Sequence, residues 1–396
     1  KCPAKPLSAY SKSATTSERG VRVLLYIHFP FCRSKCSYCD FTSYAGCSDA
    51  LVFSYLTALK REIEFAGRRF ENAAVDTVYL GGGTPSLLSP KQIADLFGKI
   101  RGSFPCYAPV EVSAEVNPES ASDEVLAAFA DAGVNRISMG VQSFSDDNLR
   151  SVGRIHTADA ARRAAERIAR RFDNFSLDFI LGLPYDTEEL VRTELAEAAC
   201  LAPHVSAYEL TLEEGTPLAA AAEEGRVWLP SDDEVAEYLE IAADTLAAAG
   251  LERYEVSNFA RRGFECRHNS GYWTREEYVG LGAGAHSLVR QAEDGSPLPA
   301  EIRFASPRDL NAYIGGVNCV DCFDDIPRVQ MSVLTPAEIR AEEIMLGLRT
   351  REGVPENLLE GRDLSRVADF LARESGRVRL TRRGLAVMNS VLAEIL

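Results

Sequence analysis

Three cysteines, Cys32, Cys36 and Cys39, stand at a C-x₃-C-x₂-C spacing directly after an apolar, β-prone run over residues 23–29. A loop this short can curl three thiolates around one small inorganic body. It brings no fourth thiol with it, because the next cysteine is Cys47. Thiolates are soft ligands that suit iron–sulfur clusters or zinc. A centre held by three protein ligands keeps one position open, which marks reactive sites rather than structural ones. Two readings stand: an iron–sulfur cluster, favoured by the spacing, or a zinc site that His28 completes as a Cys₃His set. Structural zinc sites usually close with two paired ligand clusters, and the chain shows no convincing second pair.

Other residues of chemical interest recur just after strand-like segments. The run Gly81-Gly82-Gly83-Thr84-Pro85 lacks Cβ atoms at three successive positions, so a ligand can approach the backbone closely. Glu115 closes a third strand, where a carboxylate can accept hydrogen bonds from ribose hydroxyls. Gln142 follows a fourth strand, and Arg154 offers the forked guanidinium that matches a carboxylate. Asp178 lies inside the apolar strand Leu177-Asp178-Phe179-Ile180-Leu181, where an acid is costly unless a ligand or internal cation pairs with it. His268 and His286 are flanked by aromatic or glycine-rich sequence, and imidazole is a ligand for heme iron. Cys319 and Cys322 form a second C-x₂-C without a partner pair and read as incidental.

The elements that must position these residues alternate. Strands are expected over 23–29, 77–80, 110–116, 136–141, 176–181 and 205–210, with helices over 49–69, 90–100, 122–132, 157–170 and 187–200 between them. Six β-then-α units imply parallel strands with right-handed crossovers. The candidate residues cluster just after strands one to four, as on the active face of a barrel-type sheet. Beyond a helix over 232–249 and a strand over 252–257, residues 258–287 read as loop-rich. Residues 291–299 read as a surface turn and insertion point. From 335 the pattern turns helical again, with helices over 335–348 and 364–374, a short strand over 377–380 and a terminal helix, an arrangement that resembles a winged helix.

The cysteine loop, with Tyr38 before its last cysteine, resembles the cluster loop of radical S-adenosylmethionine proteins. That resemblance implies an incomplete (β/α)₆ TIM-type barrel over 22–250. It implies a [4Fe–4S] cluster on Cys32, Cys36 and Cys39, with the methionine part of S-adenosylmethionine on the fourth iron. It further implies cofactor contacts from Tyr26, Gly83, Thr84, Glu115, Gln142, Arg154 and Asp178. Three later stretches, 254–260, 266–273 and 280–287, resemble the oxygen-independent coproporphyrinogen III oxidase-like branch and, within it, the heme chaperones. The likeness covers residues 22–396. It implies heme as cargo, with His268 and His286 as candidate ligands, and an acceptor hemoprotein, a membrane respiratory enzyme being one kind. An extension over 251–330 would carry the heme or substrate loops and 331–396 the winged-helix-like unit. The alternative function is the oxidase itself, which decarboxylates propionates through a 5′-deoxyadenosyl radical. Against it, Asp40-Phe41 follows Cys39 where those oxidases carry Gly-Cys, and His286 stands where they carry an aliphatic residue.

Composition bounds the rest. The 396 residues fit one large α/β domain with appendages. A formal charge of −15 argues against nucleic acid as the main partner, and residues 335–396 balance ten Arg with ten Asp and Glu. Ten cysteines are too few for a disulfide scaffold, which points to a reducing, cytoplasmic setting, peripheral membrane contact included. No apolar run is long enough to span a membrane. Residues 1–21, rich in Ser, Thr, Ala and Lys, read as a tail, or alternatively as the remnant of an organellar transit peptide.

Overall fold

The computed structural model describes residues 22–291 and 299–396. The expected tail or leader and most of the 291–299 turn lie outside the described residues. Six strands follow one another around the sheet in chain order: β1 (Arg22–Phe29), β2 (Ala74–Gly82), β3 (Tyr107–Val116), β4 (Arg136–Gln142), β5 (Phe175–Leu181) and β6 (His204–Glu209). All five neighbouring pairs are parallel. A doubly wound sheet reverses its order at a switch point, and this one does not, so it walks as a barrel does. The barrel stays open, because β6 pairs antiparallel with Asn258–Ala260, not with β1. On the other side β1 gains a further parallel neighbour, Tyr278–Leu281, followed by the antiparallel strands His286–Gln291, Ala300–Ala305 and Val329–Leu334. One sheet of twelve strands thus runs through both the barrel and the extension.

Capped amphipathic helices cover the outer face. Ser48, Ser89, Ser122, Thr157, Thr187 and Ser231 each accept a backbone N–H at the first turn of the helix that follows. Leu59, Ile63, Leu96, Phe97, Phe129 and Leu195 bury against the sheet in one continuous apolar core. At about 25 cal/mol per Å² of apolar surface, such burial is the main stabilising term for the layer. A separate core follows Val329–Leu334, built on Ile344, Leu348, Val378, Leu380 and Leu392.

Three expectations are corrected. The 258–287 stretch is ordered rather than loop-rich, holding two strands of the main sheet and the helix Arg267–Trp273. That helix has seven residues and is capped by the Cys266 thiol, too short for a helical stripe to show. The strand expected over 252–257 shrinks to Glu252–Arg253. Residues 364–374 form a 3₁₀ turn, Ser365–Phe370, and the strand Leu371–Glu374. That strand folds back on Arg377–Leu380 through Ser375 and Gly376, both at positive φ, which is the two-residue hairpin geometry.

Candidate functional site

Inward-facing positions of the parallel strands are polar, with a period of two. They read Thr77-x-Tyr79-x-Gly81, Glu111-x-Ser113-x-Glu115, Arg136-x-Ser138-x-Gly140, Ser176-x-Asp178 and His204-x-Ser206. Alternate side chains of a strand share a face, so these build three polar layers inside the barrel. The top layer meets the cysteine loop around a cavity of about 460 Å³, lined by Cys32, Cys36, Cys39, Gly83, Glu115, Gln142, Arg154 and Asp178 among others.

The loop is fixed by backbone hydrogen bonds. Gly83 N donates to Phe29 O and Thr84 N to Phe31 O, both at 2.8 Å. Ser37 N donates to Val152 O, and Leu218 N to Ser37 O. A hydrogen-bonded arc then joins two of the thiols. Thr84 donates to Cys32 Sγ at 3.4 Å and receives Asn117 Nδ2 at 3.0 Å. Arg154 donates to Asn117 Oδ1 at 2.9 Å and to the Gly140 carbonyl at 2.6 Å, and its Nη1 lies 3.6 Å from Cys36 Sγ. Burial opposes the charge on Arg154, but Tyr38, Cys36 and Glu119 hold its pKa above the ordinary value. Burial raises the Cys32 thiol, with the Thr84 hydroxyl working against it. A bound cation or cluster iron would reverse that balance by favouring thiolate.

The zinc alternative fails on His28. Its Nε2–H donates to the Thr42 carbonyl at 2.8 Å, and its Nδ1 meets the Tyr26 hydroxyl at 2.9 Å. Both nitrogens are engaged, and burial lowers its pKa to about 4. Among the described residues no three His, Cys, Asp or Glu side chains are grouped tightly enough for a single metal ion. The three thiols of this one short loop line the same cavity. An arginine and a hydroxyl directed at the sulfurs suit an anionic thiolate cluster.

Glu115 accepts from Gly82 N and from Tyr79 Oη, both at 2.9 Å, so it ties the glycine run to the barrel interior. Burial pushes it up to about 7. Gln142 is held at φ 69°, a left-handed conformation unusual for a residue with a Cβ, beside the cavity. Asp178 lines the cavity, as a ligand contact would require. Three serine hydroxyls, Ser138, Ser176 and Ser206, donate to it at 2.6–2.7 Å, and among the described residues no internal cation is paired with it. Tyr26 stacks on Tyr79, which lines the cavity, and is not itself among the lining residues.

The two histidines lie at opposite ends of the barrel. His268 sits in the floor on the helix Arg267–Trp273, 1% exposed and stacked on Tyr79. Its Nδ1 pairs with Thr77 Oγ1 at 2.6 Å and its Nε2 with Tyr272 Oη at 2.9 Å, leaving no free nitrogen for iron in this arrangement. Burial takes its pKa to about 3. His286 is exposed at the rim, where its strand starts beside the cysteine loop. Gly284 packs on Thr42 there, and Arg308 faces Asp40 at 3.8 Å. Phe41 is 69% exposed on the same rim. Cys319 and Cys322 are exposed and far along the chain from this site, at the end of the helix Leu310–Asn318. Sequence reasoning missed Tyr79, Asn117 and the three serines. Asn117 carries a visible signal, two residues beyond Glu115 at the strand end. The serines were visible only as a period-two polar face.

This fold and its three-thiol loop define a radical S-adenosylmethionine protein, and the Radical SAM superfamily model matches residues 26–196. The chain is 35% identical to the heme chaperone HemW of Mycobacterium tuberculosis, over 94% of each chain. It is 38% identical to the Escherichia coli heme chaperone HemW over 67% of this chain and 70% of that one. The chain belongs to the HemW family within that superfamily. In structure it is similar to the E. coli coproporphyrinogen III oxidase HemN, with a TM-score of 0.78, 22% identity, and 95% and 90% of the two chains covered. The expected partial barrel is thus the observed fold.

Proposed function

We propose that this chain is a heme chaperone that carries a [4Fe–4S] cluster with S-adenosylmethionine and passes heme to an acceptor hemoprotein. The observation that carries this reading is the match to the M. tuberculosis heme chaperone over 94% of both chains. The arrangement of Cys32, Cys36 and Cys39 around one cavity supports the cluster, and the cavity wall of Gly83, Glu115, Gln142 and Arg154 supports the cofactor. When bound, such a cluster supplies one-electron chemistry. This chain's own part is to hold it through three sulfurs, and to receive a carboxylate and a ribose on Arg154 and Glu115. His286 is the favoured heme ligand, because its ring is exposed and has no hydrogen-bond partner among the described residues. A cytoplasmic setting goes with this reading, and among the described residues no helix is long and apolar enough to cross a membrane.

Likeness to the oxidase is one of fold, so the oxidase reading sets the control. Protein reconstituted anaerobically is titrated with heme and, in parallel, incubated with coproporphyrinogen III, reductant and S-adenosylmethionine. A one-to-one heme spectrum without decarboxylation is expected. Protoporphyrinogen over many turnovers, without a stoichiometric heme complex, overturns the proposal. Iron content lost on replacing Cys32, Cys36 or Cys39 by Ala tests the cluster separately. A triple variant that keeps a full cluster refutes that part.

A further inference from the structure

A second cavity, of about 470 Å³, lies away from the cysteine loop, between the helix Asp232–Ala248 and the C-terminal unit. Its size is that of a small-molecule site. Ala243 and Ala247 on the helix, with Leu380 and Leu385 opposite, leave an apolar wall. Five arginines line it, Arg253, Arg349, Arg351, Arg379 and Arg382, against one carboxylate, Glu255. In a chain of net charge −15 this concentration is local, and it needs an explanation.

Three of the five are accounted for by acids. Arg351 reaches Glu252, Glu265 and Glu352; Arg382 pairs with Glu240 and Asp244 across the cleft; Arg379 lies 3.7 Å from Glu374. Arg253 and Arg349 have no carboxylate partner among the described residues. Arg253 donates to the Glu255 and Val256 carbonyls through Nε and Nη2, and no bond uses its Nη1. Among the described residues Arg349 makes a single side-chain bond, from Nη2 to Asn389 Oδ1 at 3.1 Å. Burial lowers the pKa of each; on Arg253 the nearby Glu255 and Glu240 work against it, whereas burial is the one cause on Arg349. Glu255 acts on Arg253 through space and, among the described residues, forms no ion pair with it, its oxygens accepting from Asn258 and from Ser257 N.

We infer that this cleft is a second ligand site, in which Arg253 and Arg349 together receive a dianionic group, two carboxylates or a phosphate, with an apolar body against the alanine wall. Guanidinium forks recognise both chemistries. Heme propionates and a free phosphate compound are the two sources. The cleft does not depend on the heme-chaperone reading, because a phosphate ligand would establish it alone.

The test is calorimetric titration of the full chain with inorganic pyrophosphate, and separately with hemin and hemin dimethyl ester. Saturable binding of pyrophosphate, or of hemin but not its ester, is expected, weakened about tenfold or more by Arg349→Ala, as for loss of one charge-assisted pair. The hemin arm is repeated in the His286→Ala background, where any rim site is lost and the remaining hemin binding should still weaken with Arg349→Ala, which separates the cleft from the rim. Protection of Arg349 from phenylglyoxal by the same ligand, read by mass spectrometry on the unmutated chain, asks the question without a substitution. The inference is overturned if neither probe binds, if Arg349→Ala binds as tightly as the parent, or if Arg349 is modified equally with and without ligand.

Discussion

A single methyl group at Gly83 tests whether the glycine run positions the cysteine loop. A Cβ built there would lie 2.7 Å from Phe31 O, 2.8 Å from Phe31 N and 2.9 Å from Phe29 O. All three are backbone atoms of the segment that leads into Cys32, so no side chain can turn aside. Restoring ordinary contact needs a backbone displacement of roughly 0.5–0.7 Å, and overpacking of this kind costs about 1–3 kcal/mol. The displacement also strains the Gly83 N to Phe29 O hydrogen bond, worth about 1 kcal/mol. Gly83→Ala should therefore destabilise the apo chain by about 2–4 kcal/mol. Gly81 is the comparison. A Cβ there meets the Glu115 carboxyl and the Tyr79 ring at 2.9 Å, and these are ends of side chains that can move. The assay is urea unfolding of the apo protein, followed by iron per chain after anaerobic reconstitution. Gly83→Ala should lower the urea midpoint and lose most of the iron, and Gly81→Ala should do less of both. Midpoint and iron content like the parent, or equal damage from the two substitutions, refute the reasoning.

Three further outcomes follow from the site. The fold raises the pKa of Glu115 from 4.5 to about 7, so stability from its neutral form is full below 4.5 and is lost as pH rises through 7. Glu115→Gln should thus gain on the parent between about pH 5 and pH 8, by up to about 3 kcal/mol in urea unfolding; parallel pH curves would refute this. Asp178→Asn and Arg154→Ala should each weaken S-adenosylmethionine binding about tenfold or more while iron content holds, since each changes a polar contact at the cavity. Unchanged binding in both would make these residues structural. His268→Ala should cost about 2–4 kcal/mol, by leaving Thr77 and Tyr272 unpaired in the floor, whereas His286→Ala at the rim should change stability by less than about 0.5 kcal/mol and weaken heme binding. A His268 variant as stable as the parent would contradict the buried geometry.

The local rules that the chain obeys were legible one residue at a time. Serine or threonine before a helical stripe caps a helix wherever it stands, because the cap involves only its neighbours. The six strand-and-helix units and the helix Asp49–Arg69 follow from such signals. The cysteine spacing is equally local, as three thiols within eight residues share one loop in any fold. What the sequence left open depends on residues far apart in the chain. Whether His28 could hold zinc was settled by Thr42 and Tyr26 occupying both its nitrogens. Asp178 is met by the Ser176 hydroxyl of its own strand, two residues away, and by Ser138 and Ser206, which only the parallel register of the neighbouring strands brings to it. His268 and His286 look alike in the sequence, but one strand end faces the rim and one short helix plugs the floor. The helix Arg267–Trp273 and the strand Tyr278–Leu281 have too few residues for periodicity, and they are ordered because β1 and β2 offer them a surface. Sequence alone determined the six strand-and-helix units and the cluster loop, since these rest on near neighbours. Tertiary structure alone decided which polar groups meet, because pairing buried charge depends on which strands the sheet brings side by side.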